Sequence, residues 1–139
     1  MDKKILCGLD GSEGSFKALA KAIDLARLYY ADLHTLTVEE LPIQEELAGE
    51  ALEEKERLEI KYQEMIKKAK QMAFPEKIEI KNHLLMGHEV KSFIEFIRQH
   101  GYDLLVIGFM GHSAIYDRVM GSTCQSLVRM APCSVMVVK

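Results

Sequence analysis

The sequence predicts an α/β protein, a doubly wound sheet of five parallel strands with helices on both faces. Three observations carry that expectation. Strand-like apolar runs alternate with segments of helical period along all 139 residues. Lys4 to Leu9 and Leu104 to Ile107 are near-continuous apolar runs, as strands covered on both faces are. Successive strands are joined by enough residues for a crossover helix, and such units build parallel sheets with right-handed connections.

The first strand, Lys4-Ile5-Leu6-Cys7-Gly8-Leu9, stops at Asp10-Gly11-Ser12. Ser12 suits a helix N-cap, because its hydroxyl accepts from an otherwise unpaired N–H of the first turn. Asp10 can serve the same turn through an Asx-type bond, or face a ligand. Phe16, Leu19, Ala20, Ile23 and Tyr30 then recur at helical spacing. Ala31 to Glu39 reads as the second strand, through Leu33, Thr35, Thr37 and Val38.

After Pro42 comes a long helical segment with a narrow stripe of Leu47, Ala51, Leu58, Tyr62, Met65, Ala69 and Met72. Acids crowd its start and Lys67, Lys68 and Lys70 its end, an order that complements the helix dipole. Glu64 and Lys68 form an i,i+4 pair in the sequence. Lys77 to Met86 is expected as the third strand, ended by Gly87. Val90, Phe93, Ile94 and Ile97 make a short amphipathic helix, closed by Gly101. Leu104 to Ile107 is the fourth strand. A last helix runs from about Ser122 to Met130, stopped by Pro132, and Val135 to Val138 is the fifth strand.

Composition excludes several classes. A net charge of −3 gives no basic footprint for nucleic acid. No apolar run approaches the roughly 20 residues of a membrane span. Met1-Asp2-Lys3-Lys4 does not open a signal peptide. Cys7, Cys124 and Cys133 lack C-x-x-C spacing and read as reduced thiols of a cytoplasmic protein. Cys124 lies near a helix start, where thiol pKa values fall, although a half-buried packing role is the simpler expectation. The five histidines are scattered along the chain, at no metal-ligand spacing. The expected organisation is one domain over residues 1–139.

The chemistry concentrates in Gly108-x-x-Gly111, then nine residues, then Gly121-Ser122. This set begins where the fourth strand ends. Spaced glycines let the backbone approach an anion closely, and the helix that follows directs its positive end at that anion. In sheets of this type ligands bind at the carboxyl ends of strands, where strand order reverses. The Asp10 loop and the glycine loop both sit at such ends. Other nucleotide motifs are absent: no G-x-x-x-x-G-K-[ST], no G-x-G-x-x-G after the first strand and no G-x-S-x-G elbow. No general base is evident, so turnover is expected to be very slow at most.

This glycine spacing resembles the ATP-binding signature of the universal stress protein family. Asp10-Gly11-Ser12, Asp103-Leu104-Leu105-Val106-Ile107-Gly108 and Ala131-Pro132-Cys133-Ser134-Val135-Met136-Val137-Val138 match it in order across nearly the whole chain. The resemblance implies a Rossmann-like sheet, of the adenine nucleotide alpha hydrolase-like kind, with strand order 3-2-1-4-5. It implies ATP or another adenine nucleotide as ligand, with Mg²⁺, and a homodimer formed through the last strand, Val135 to Val138.

Carried over by position, Leu9 and Val38 would border the adenine and Asp10 would contact the ribose or a nucleotide-bound Mg²⁺. Gly108, Gly111, Gly121, Ser122 and Thr123 would hold ribose and phosphates. Met110 could cover the base, His112 could donate to a phosphate, and Gly11 and Ser12 complete the set. The chain departs from the family at His112 to Arg118, and at Thr37-Val38-Glu39 where relatives often carry His-Val-Val. Function is then expected to be that of a nucleotide-dependent sensor or switch in stress response, read by an unknown protein partner. A dimeric interaction protein without nucleotide is the alternative, and a weak ATPase a third.

Overall fold

The computed structural model describes residues 3–40, 48–109 and 120–139. Along them run β1 (Lys4–Gly8), α1 (Glu13–Tyr29), β2 (Asp32–Glu39), α2 (Ala48–Ala73), β3 (Ile80–Met86), α3 (Glu89–His100), β4 (Leu104–Gly108), α4 (Ser122–Met130) and β5 (Ser134–Val138). The five strands form one parallel sheet in the order β3-β2-β1-β4-β5. That is the order which the family resemblance implies.

The two-residue period of the strands divides the core into two layers. Ile5, Cys7, Leu33 and Val106 face α1 and α2, whose Phe16, Leu19, Ala22, Ile23, Met65 and Ala69 cover them. Leu6, Leu36, Leu105 and Ile107 face α3 and α4, whose Phe93, Ile94, Phe96, Ile97 and Leu127 cover the opposite side. The central strands are therefore buried on both faces, which explains their unbroken apolar runs.

Three elements depart from the sequence expectation, each for a local reason. The third strand starts at Ile80 and not at Lys77. Phe74-Pro75-Glu76 forms a 3-10 turn, and Lys77 takes a left-handed φ of 58° that no strand residue can hold. Phe16, Leu19 and Ile23 are on the core face of α1 as expected, together with Ala18, Ala22 and Ala26, but Ala20 and Tyr30 lie off it; Tyr30 is the left-handed C-cap and is 92% exposed. Among the described side chains of α2, those in the core belong to its later turns: Met65, Ile66, Ala69 and Ala73. Lys68 does not pair with Glu64; its ammonium stands 4.1 Å from the centroid of the Phe16 ring. Leu47 and the side chain of Ala51 lie outside the described residues.

Candidate functional site

β1 and β4 are neighbours at the centre of the sheet, and their chains leave in opposite directions, to α1 on one face and to α4 on the other. This divergence opens a crevice at the carboxyl ends of the strands. A cavity of about 290 Å³ occupies it. Its apolar lining comes from Leu9, Val38, Phe93, Ile107 and Leu127, and its polar lining from Asp10, Ser12, Ser15, Glu89, Ser122 and Thr123.

The two helix starts at this crevice are built differently. At α1, Ser12 Oγ accepts from Ser15 N at 3.1 Å, and Asp10 Oδ1 accepts from Ser12 N at 2.9 Å. Ser15 Oγ donates to the Ser12 carbonyl at 2.9 Å and accepts from Asp10 N at 3.3 Å. The first turn of α1 is thus tied up by its own side chains. Asp10 acts as the expected Asx-type cap while it still lines the cavity.

At α4 the N-cap is Gly121, in extended conformation at φ −60° and ψ 149°, and no side chain caps the helix. The amides that open an α-helix have no partner within it. Gly121, Ser122 and Thr123 line the crevice, and among the described residues no side chain caps these amides, so the helix dipole and its opening donors favour an anion at this point. Among the described lining residues there is no Lys or Arg, while Asp10 and Glu89 are carboxylates. Attraction for an anion from these residues comes from main-chain groups.

The glycines have separate reasons. A Cβ on Gly108 would stand 2.8 Å from the backbone of Gly14, so this position is needed for α1 to pass over the end of β4. Gly11 holds φ +86°, and a Cβ there would meet Met65 Sδ at 2.9 Å. Gly11 shapes the turn and does not line the cavity. Phe109 N donates to the Val138 carbonyl at 2.9 Å, and Gly121 N donates to the Phe109 carbonyl at 3.0 Å. The two ends of the glycine segment are therefore joined to each other and to β5.

Of the residues expected at the site, Leu9, Asp10, Ser12, Val38, Gly108, Gly121, Ser122 and Thr123 line one cavity. Met110, Gly111 and His112 lie outside the described residues. Sequence reasoning missed Glu89 and Phe93, the first residue and the fifth of α3. Their i,i+4 spacing just after the end of β3 was the available signal. Glu89 Oε2 accepts from Thr123 Oγ1 at 3.4 Å, which links α3 to the start of α4. Cys124 also lines the cavity, but burial pushes its thiol pKa up, against the lowering expected of a helix start.

A model of the universal stress protein family matches residues 1–139. The chain belongs to this family. It is 31% identical over 139 residues to universal stress protein MJ0531 of Methanocaldococcus jannaschii, covering 99% of this chain and 82% of that one. It is 26% identical to universal stress protein YxiE of Bacillus subtilis over the full length of both. Its fold matches universal stress protein UspA from Lactobacillus plantarum with a TM-score of 0.91 at 23% identity, over 99% and 97% of the two chains. Other family structures of this fold are a complex with cAMP (TM-score 0.74, 23% identity, 99% of this chain and 97% of that one) and an Archaeoglobus fulgidus complex with dAMP (TM-score 0.68, 19% identity, 100% and 98%). Among the described residues no helix is long and apolar enough to cross a membrane.

Proposed function

We propose that the crevice between β1 and β4 binds an adenine nucleotide, ATP or one of its relatives, and that the single domain works as a nucleotide-dependent switch in stress response. The observation that carries this reading is the uncapped start of α4 beside an apolar slot. Such a pairing suits a ligand with a flat apolar end and an anionic end. The family structures holding cAMP and dAMP support the same ligand class.

In this reading Leu9, Val38 and Phe93 enclose the base. The amides of Ser122 and Thr123 take phosphate oxygens, together with Gly111 and His112. Asp10 faces the ribose or a phosphate-bound Mg²⁺. One carboxylate beside phosphate oxygens is the donor set that Mg²⁺ commonly takes, so the residues fit that ion. Hydrolysis in this reading is at most very slow, because the sequence carries no G-x-x-x-x-G-K-[ST] motif to bring a lysine to the γ-phosphate. The protein acts in the cytoplasm as a homodimer, read by a protein partner. β5 is the edge through which a second copy pairs, since its outer side is left without a neighbouring strand among the described residues.

Calorimetric titration with Mg·ATP tests the site. Binding at micromolar Kd and about one site per chain supports the nucleotide reading. No heat at millimolar Mg·ATP leaves a dimeric interaction protein whose glycines serve only the turns. Truncation after Pro132 tests the dimer by sedimentation: loss of the intact dimer is expected, and a soluble dimer of the truncated chain overturns it.

A further inference from the structure

Away from the crevice, near the amino ends of the strands, three side chains distant in sequence converge. His34 Nδ1 lies 2.9 Å from His83 Nε2 and 3.1 Å from the Tyr102 hydroxyl. His34 and Tyr102 are 8% and 7% exposed. The two imidazoles are nearly coplanar, at 9°, with centroids 5.2 Å apart. A nitrogen separation of 2.9 Å is shorter than face-to-face ring contact allows, so the rings meet edge to edge in a line. That line is the geometry of a shared proton. It leaves no room between the nitrogens for a metal ion, which needs about 2 Å to each.

A ring nitrogen holds either one proton or one lone pair. The contact therefore survives while the facing nitrogens hold one proton between them. A proton on each sets two N–H groups head to head and breaks the contact. The surroundings oppose protonation. Lys4 of β1 and Lys81 of β3 are the nearby cations, His100 of α3 is a further titratable group, and Asp32 of β2 is the one nearby acid that favours the charged form of His34. Lys4 is fixed in place, with its ammonium 2.8 Å from the His100 carbonyl and 4.6 Å from the Tyr102 ring centroid. The Tyr102 phenol is pushed up to about 12 by burial and stays protonated.

The cluster docks α3. Phe96 packs at 4.9 Å from His83 and 4.3 Å from His100, and at 5.8 Å from Tyr102, all between centroids. The same helix supplies Phe93 and Glu89 to the crevice. We infer that the His34–His83 pair is a proton-sensitive latch on α3, and that proton uptake below neutral pH releases the helix and lowers nucleotide affinity in the crevice. The affinity clause rests on the nucleotide reading above; the latch does not.

The sign follows from the direction of the shifts. Burial, the partner histidines and the two lysines hold both imidazoles below the usual histidine value, His34 to about 4. The folded chain thus binds fewer protons than the unfolded one. Its stability is full above about pH 6.5 and is lost as pH falls towards 4.

The test is hydrogen–deuterium exchange of the α3 amides at pH 7.5 and 5.0, corrected for intrinsic rates and referenced to α1, with Mg·ATP titrations at both values. In the full chain, α3 protection is expected to fall about tenfold more than that of α1, and Mg·ATP affinity to fall alongside it. In His83→Gln, which keeps a hydrogen-bonding side chain without the titration, both pH responses should shrink below threefold. Should that variant not fold, NMR titration of the wild-type imidazoles decides: His34 titrating at the ordinary histidine value overturns the latch. Equal loss of protection in α3 and α1 overturns it too. If α3 opens while Mg·ATP affinity is unchanged, the coupling is overturned. If α3 opens and Mg·ATP binds at neither pH, the nucleotide reading fails and the latch stands.

Discussion

Two helices begin at the same crevice, and they treat their first amides in opposite ways. α1 spends Asp10, Ser12 and Ser15 on its own opening turn. α4 begins at a glycine with no side-chain cap. A capped start satisfies its donors internally and is stable whether or not a ligand is present. A start without a side-chain cap leaves its first amides to other partners and, with glycine at the N-cap, gives up about a few tenths of a kcal/mol that a Ser or Asp cap would supply. The difference teaches where to look for a ligand: beside the helix start that the protein has left unfinished.

The comparison can be broken most severely at Gly108, where β4 passes under the start of α1. Gly108→Val places a side chain against the Gly14 backbone and should cost about 3 kcal/mol, read as a lower urea midpoint with loss of ligand binding. Next is Ser122→Asp, which places a negative charge in the first turn of the open start. The acid should stabilise α4 by a few tenths of a kcal/mol or more while it repels phosphate. Mg·ATP affinity should then drop about tenfold with no fall in melting temperature, and unchanged affinity would remove α4 from the site. The smallest effect belongs to the finished start. Ser12→Ala should cost about 1 kcal/mol of stability, measured by denaturant titration, and leave affinity within about threefold. A large loss of affinity in Ser12→Ala would show that its hydroxyl serves the ligand and not the cap.

Much of this was legible in the sequence because its causes are local. The N-cap role of Ser12, the Asx bond of Asp10, the span of α4 and the stop at Gly101 each depend on residues within one or two turns. Asp103, just before the fourth strand, accepts from Lys4 N at 2.8 Å at the end of the sheet opposite the crevice. The start of β3 was missed because Lys77 adopts a conformation that its side chain does not announce. Glu89 was missed because its place in the crevice depends on how α3 crosses the sheet. The histidine cluster was least legible of all. His34 lies opposite Lys81, and His83 opposite Leu36. Only the register of β2 against β3 turns scattered histidines into diagonal neighbours on one face, and nothing in either segment alone states that register.

α2 shows where the chain is free to vary. It is 26 residues long, about 39 Å, yet among its described side chains the core holds those of the later turns. Leu52 and Ile60 in the earlier part are each 62% exposed. Among the described residues, those from Leu52 to Ile60 supply no strand register, no buried core side chain and no wall of the crevice. Evolution can adjust the reach of this protein's silhouette there, like a roof eave, while the rooms beneath keep their dimensions.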